Sequence, residues 1–140
     1  MSASAAILVI DDDAVVRQFA ELVLAQAGYN VSSAATAELG MRALQASRWD
    51  LVLLDINMPG MTGLDVLRLR KHQRLKAAVM MMTARDDAAT VRQAMETGAD
   101  GYMVKPFGPR DLLKRVDAML NPEKFRAAPK DGGRPPLELD

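Results

Sequence analysis

Five short apolar runs, at residues 7–10, 30–34, 51–54, 78–82 and 101–104, recur along the chain with 15 to 25 residues of helical pattern between them. A chain that alternates in this way has few folds open to it. Parallel strands cannot be joined by a tight turn, and a crossover of this length normally carries a helix, so the alternation reads as successive βαβ units. The first, third and fourth runs are apolar throughout, as strands are when helices cover both faces of a sheet. The expected architecture is an α/β domain with a mostly parallel sheet, five strands and five helices.

The helices carry their own punctuation. Asp13 can cap a first helix whose apolar stripe runs through Val15, Phe19 and Val23, with Gly28 ending it. Thr36 opens a second, with Leu39 and Ala43 four apart, and Thr62 caps a third carrying Leu64 and Leu67. Asp86 or Asp87 caps a fourth carrying Val91 and Met95 before Gly98. Pro109 suits the first turn of a fifth, which buries Leu112, Leu113, Val116 and Leu120 and stops at Asn121 and Pro122. The pattern then ends. Residues 121–140 hold four of the seven prolines, two adjacent glycines and four charges of each sign, which reads as a disordered tail or linker after a domain of residues 1–120.

Composition removes several function classes. The chain of 140 residues is the size of one domain, and 49% hydrophobic with 26% charged residues suits a soluble globular protein. Its 18 basic and 18 acidic residues cancel, leaving no electrostatic footprint for nucleic acid or an anionic membrane. With no cysteine, a disulfide framework, a thiol nucleophile and a zinc ribbon are excluded together. No segment approaches the ~20 apolar residues of a membrane span, and the first residues lack the basic start and apolar stretch of a signal peptide. The expected location is the cytoplasm. Arg68, Arg70, Lys71, Arg74 and Lys76 form the densest basic cluster, read as a solvated helix terminus, and Met80, Met81 and Met82 are read as strand core.

In open parallel sheets, ligands bind beyond the carboxyl ends of the strands, so the residues just after each apolar run carry the functional information. After the first run stand Asp11, Asp12 and Asp13; after the third, Asp55 and Asn57; after the fourth, Thr83; after the fifth, Lys105. If these strands are neighbours, the groups converge. Clustered carboxylates resist ionising together unless a cation sits among them. Carboxylates from Asp11, Asp12 and Asp55, with the backbone carbonyl of Asn57, form an all-oxygen set suited to Mg2+, whereas zinc would want cysteine or histidine and His72 is the only histidine. A carboxylate in such a pocket can attack phosphorus and become an acyl phosphate, with Mg2+ and Lys105 offsetting charge on the transferring oxygens. Thr83 can donate its hydroxyl to the new phosphoryl group, and its displacement opens space for Tyr102 on the adjacent strand. Each residue alone has a plainer reading as cap, turn or surface charge. Their joint placement at strand ends is what independent accidents rarely produce.

The segments ILVIDDD, LVLLDINMPGMTGLDVL, VMMMTA and GYMVKPF together resemble the motifs of response-regulator receiver domains, in order and spacing, over about residues 5–120. The resemblance implies a flavodoxin-like, doubly wound five-stranded parallel sheet in the order 2-1-3-4-5 flanked by five helices. It also implies Asp55 as phosphoacceptor, Asp11 and Asp12 as the metal-binding pair, Thr83 and Tyr102 as a switch pair, and Lys105 as phosphate contact. The phosphodonor it implies is a histidine kinase or a histidine phosphotransfer protein, with small acyl phosphates as substitutes. A cis Lys105–Pro106 bond comes from the resemblance as well, as does the variable character of Arg85 near the route of attacking water.

Two rival functions fit similar folds. A phosphatase resembling the haloacid dehalogenase group also uses a nucleophilic aspartate, Mg2+, a threonine and a lysine, but places a second acid two residues after the nucleophile, where this chain has Asn57. An FMN binder would need a Ser/Thr/Gly-rich phosphate loop after the first strand, which is absent. Within the receiver reading the chain is either a stand-alone regulator or the input domain of a longer one. Residues 121–140 are too few and too rich in proline and glycine to form a DNA-binding domain. Mixed charge at Arg110, Lys114, Arg115 and Asp117 would suit a homodimer or partner docking through the fourth and fifth helices and the strand between them.

Overall fold

The computed structural model describes residues 4–84 and 88–121. Ten elements alternate along it: β1 (Ala6–Ile10), α1 (Ala14–Gln26), β2 (Asn30–Ala34), α2 (Ala37–Ala46), β3 (Leu51–Asp55), α3 (Gly63–His72), β4 (Ala78–Thr83), α4 (Ala88–Thr97), β5 (Gly101–Val104) and α5 (Pro109–Leu120). The strands form one parallel sheet in the order β2-β1-β3-β4-β5. The doubly wound topology is therefore as expected.

Side chains alternate across a strand, so each apolar run feeds two cores. Leu8, Ile10, Val52, Leu54, Val79 and Met81 face one side of the sheet, where they pack with Met41, Leu44, Val66, Leu67 and Ala94 of α2, α3 and α4. Ile7, Val9, Leu51, Leu53, Met80, Met82 and Met103 face the other, against Ala20 and Leu24 of α1 and Leu112 and Val116 of α5. The three consecutive methionines are strand core, as read from the sequence. Strand β2 is an edge, and its alternating exposure explains why its run is the least apolar.

The predicted caps of the first three helices are in place. Asp13 accepts from Val15 N–H at 2.9 Å, and Thr36 from Leu39 N–H at 3.1 Å. Thr62 and Asp65 form a reciprocal capping box, and Pro109 opens α5. Gly28, with φ of 99°, and Gly98, with φ of 119°, follow α1 and α4 in the left-handed conformation that glycine tolerates. The proposed caps Asp86 and Asp87, together with Arg85 and residues 122–140, lie outside the described residues.

Three helix faces differ from the periodicity reading. Val15 is 73% exposed, and the inward stripe of α1 is Val16, Phe19, Ala20, Val23 and Leu24. With two adjacent valines, periodicity alone does not choose between them. Leu39 is also exposed, because α2 presents Ala37, Gly40, Met41 and Leu44 to the sheet. Gly40 decides this: a Cβ there would lie 2.4 Å from Ile10 Cδ1, an approach only glycine permits. Met95 of α4 is exposed for a similar reason, since the small Ala94 faces the core. Leu64, Leu113 and Leu120 are half-buried at the core margin.

Candidate functional site: an acidic cluster at the carboxyl edge of the sheet

The alternation that builds the second core also aims the polar residues. Asp11 continues the row Ile7, Val9; Asp55 ends the row Leu51, Leu53; Lys105 continues the row that holds Met103. All three rows face α1 and α5. The parallel register brings these row ends to one edge of the sheet.

Asp11 is fully buried, with its backbone N–H bonded to Ala34 O at 3.2 Å. Its Oδ1 accepts from Asp13 N–H at 2.9 Å, and its carbonyl accepts from Arg17 Nη1 at 2.9 Å. Its Oδ2 is buried without a hydrogen bond of good geometry and is met by the Lys105 ammonium at 2.9 Å. That contact is an ion pair more than an aligned hydrogen bond. Asp55 is 5% exposed; its Oδ1 lies 3.4 Å from Lys105 Nζ and accepts from Asn57 N–H at 3.3 Å. Asp12 is exposed, yet carboxylate oxygens of Asp11, Asp12 and Asp55 all lie within 4.8 Å of one another.

These surroundings shift the titrations. Burial pushes the Asp55 carboxyl up, the Asp11 charge pushes it further, and Lys105 and the Asn57 N–H oppose both, leaving it at about 7. Burial alone would lower Lys105, but its contacts with Asp11 and Asp55 outweigh that and hold the ammonium above its ordinary range. The lysine stays charged, and among the described residues one ammonium faces three clustered carboxyl groups. That imbalance fits a divalent cation. The donors are all oxygen, the Asp11 Oδ2 is a buried acceptor without a hydrogen bond, and His72 ends α3 at the far pole of the molecule.

Thr83 ends β4 with 1% exposure, and its Oγ1 donates to Ala84 O at 3.3 Å, so it is turned to its own backbone. Tyr102 is paired with Met81, two residues before Thr83 on the same face of the sheet, and the residue is 40% exposed. Its carbonyl accepts from Arg115 Nη1 at 2.9 Å. The two residues thus share one face at the β4–β5 edge. Asn57 is exposed and offers an amide where a second acid would serve a phosphatase. The Lys105–Pro106 bond is cis, as the resemblance implies.

Two residues at the site escaped the sequence reading. Gly63 begins α3 against the site, where a Cβ would stand 2.5 Å from Asp55 O and 3.0 Å from Ile56 Cα. A glycine in the first turn after a good cap is a poor helix choice and was the available signal. Arg17 is a cation in the early part of α1, where the helix dipole disfavours positive charge, and that anomaly was legible too.

The family model for "Response regulator receiver domain" matches residues 7–117. The alkaline phosphatase synthesis transcriptional regulatory protein PhoP of Bacillus subtilis is 33% identical over 121 residues, covering 86% of this chain and 50% of that protein. The DNA-binding response regulator MtrA of Mycobacterium tuberculosis is 39% identical over 114 residues, covering 81% of this chain and 50% of that one. The chain spans about half the length of these curated relatives. Among solved structures, the chemotaxis response regulator CheY4 of Vibrio cholerae superposes with a TM-score of 0.80 at 32% identity, covering 84% of this chain and 100% of that one. A CheY-like receiver domain protein of Methanospirillum hungatei gives a TM-score of 0.80 at 31% identity, over 88% and 98% of the two chains.

Proposed function

Because the chain belongs to the response regulator receiver domain family of two-component signalling, we propose that Asp55 is its phosphoacceptor and that phosphorylation there changes the surface offered to a partner. The single observation that carries this reading is the placement of Lys105 Nζ between Asp11 and Asp55, inside a cluster of three carboxylates. The donor is a phosphohistidine on a histidine kinase or phosphotransfer protein, with a small acyl phosphate able to replace it. An Asp55 carboxylate oxygen attacks phosphorus, the phosphorus–nitrogen bond of the donor breaks, and its electron pair leaves on the imidazole. Lys105 contacts the transferred oxygens. Asp11, Asp12, Asp55 and the Asn57 carbonyl hold Mg2+, which supplies charge stabilisation for the phosphoryl oxygens when bound.

The readout in this proposal begins at Thr83. To donate to the phosphoryl group its hydroxyl must leave Ala84 O, and the movement makes room for Tyr102 to turn inward. The surface affected is formed by α4, β5 and α5, where Arg110, Lys114, Arg115 and Asp117 supply mixed charge for docking or for a homodimer. The cytoplasm is the proposed location, and no helix among the described residues is long and apolar enough to cross a membrane. This chain spans about half the length of PhoP and MtrA, so this proposal covers reception of the signal, with residues 1–120 as receiver and 121–140 as tail or linker.

Intact-mass measurement after exposure to acetyl phosphate and Mg2+ tests the assignment. One base-labile phosphoryl group is expected on the wild type and none on Asp55→Asn or without Mg2+. A label that persists in the variant moves the acceptor elsewhere.

A further inference from the structure

We infer that Arg17 is a positioning residue for the acidic cluster, acting through the backbone of Asp11; this rests on the phosphoacceptor reading for its purpose, though not for its geometry. The turn from β1 to α1 must hold Asp11 still while leaving Asp12 open to solvent. Four contacts hold Asp11, and three of them are local to the sheet edge or the site itself: Ala34 O on its N–H, Asp13 N–H on Oδ1 and Lys105 on Oδ2. The fourth is the Arg17 guanidinium, reaching back from α1 to the Asp11 carbonyl at 2.9 Å.

That carbonyl belongs to the peptide joining Asp11 to Asp12. A bond to it therefore fixes the plane between the two acids whose carboxylates must face one cation. A buried carbonyl left without a donor would otherwise draw in water or rotate, and either event would change the angle between the two side chains. Arg17 itself is half-buried, and it sits where the helix dipole is unfavourable to a cation. A solvated surface arginine would need neither feature. The charged donor also makes this bond stronger than a neutral one. Groups that orient metal ligands without touching the metal typically matter tenfold or more for affinity.

The test compares wild type, Arg17→Met and Arg17→Lys in the full chain by two readouts. The first is the amide nitrogen shift of Asp12 in the metal-free protein, which reports directly on hydrogen bonding to the Asp11 carbonyl. The second is Mg2+ affinity by calorimetry. Arg17→Met is expected to move the Asp12 shift and to weaken Mg2+ binding by roughly tenfold. Arg17→Lys, which keeps a charged donor, should fall between it and wild type, and it carries the test if Arg17→Met does not fold. A lowered melting temperature with wild-type Asp12 shift and Mg2+ affinity would reduce Arg17 to ordinary helix packing and overturn the inference. If the wild type takes up no phosphoryl group, the phosphoacceptor reading falls, while the Asp12 shift still decides the positioning role.

Discussion

Lys105 Nζ lies 2.9 Å from Asp11 Oδ2, nearer than the 3.4 Å that separates it from Asp55 Oδ1. The lysine is thus held mainly by Asp11, and less closely by Asp55, the acceptor in the proposed phosphorylation. It would also compete with a divalent cation held by the same two carboxylates. Lys105→Met should therefore tighten Mg2+ binding, on the order of tenfold or ~1.4 kcal/mol, while slowing phosphoryl uptake from acetyl phosphate. Calorimetry and single-turnover labelling measure the two effects separately. A variant that bound Mg2+ more weakly would mean that the ammonium organises the acids instead of competing for them.

The Asp55 carboxyl, pushed up to about 7 by burial and by Asp11, makes the metal-free protein sensitive to pH. Unfolding returns the group to its ordinary value of 3.8, so the folded state binds the extra proton between these limits. The contribution of Asp55 to stability is present in full below about pH 4 and is lost as pH rises through about 7. In the proposed site Mg2+ would bind the ionised form, so its stabilising effect should be larger at pH 8 than at pH 5. Thermal melts with and without Mg2+ at the two pH values, repeated on Asp55→Asn, measure this. Equal Mg2+ stabilisation of wild type at both pH values would contradict the raised value.

Gly63 stands so near Asp55 O that a methyl group must displace the backbone on one side or the other. Gly63→Ala is expected to destabilise the domain by ~1–3 kcal/mol despite its better helix propensity, and to slow phosphorylation as well. Chemical denaturation and the intact-mass assay are the measurements. A stabilised Gly63→Ala would show that the junction yields more easily than its contacts suggest.

Helix α3 ends without the glycine that follows α1 and α4. Arg74 takes the left-handed position at φ of 58°, with its N–H on Lys71 O at 3.2 Å and the Leu75 N–H on Arg70 O at 3.0 Å. This is the same paired-bond ending found at Gly28, built on a residue that pays for its Cβ. Arg74→Gly should stabilise the fold by ~0.5–1 kcal/mol and leave phosphorylation unchanged, since the position is at the opposite pole from Asp55. Urea denaturation gives the sign. Destabilisation would mean that the Arg74 side chain contributes more than its backbone costs.

The sequence was most legible where a residue's role depends on its near neighbours in the chain. Caps at Asp13, Thr36 and Thr62 could be read because a cap bonds an amide two or three residues on. The end of α3 could not, because an arginine there gives no warning of a left-handed turn. Helix faces were legible only in part. Val15, Leu39 and Met95 satisfy a helical period and still point outward: Val16 takes the inward place beside Val15, the close approach at Gly40 turns α2, and the buried Ala94 takes the core side of α4.

By itself the sequence determined that strands and helices alternate and that Asp11, Asp12, Asp55, Thr83 and Lys105 follow the apolar runs, because hydrophobic period and capping act over a few residues. Only the tertiary structure decided that Lys105 pairs more closely with Asp11 than with Asp55, that Arg17 holds the Asp11 carbonyl, and that Asp55 is shifted to about 7. Those facts depend on charge separation and burial, which are distances through space between segments far apart in the chain.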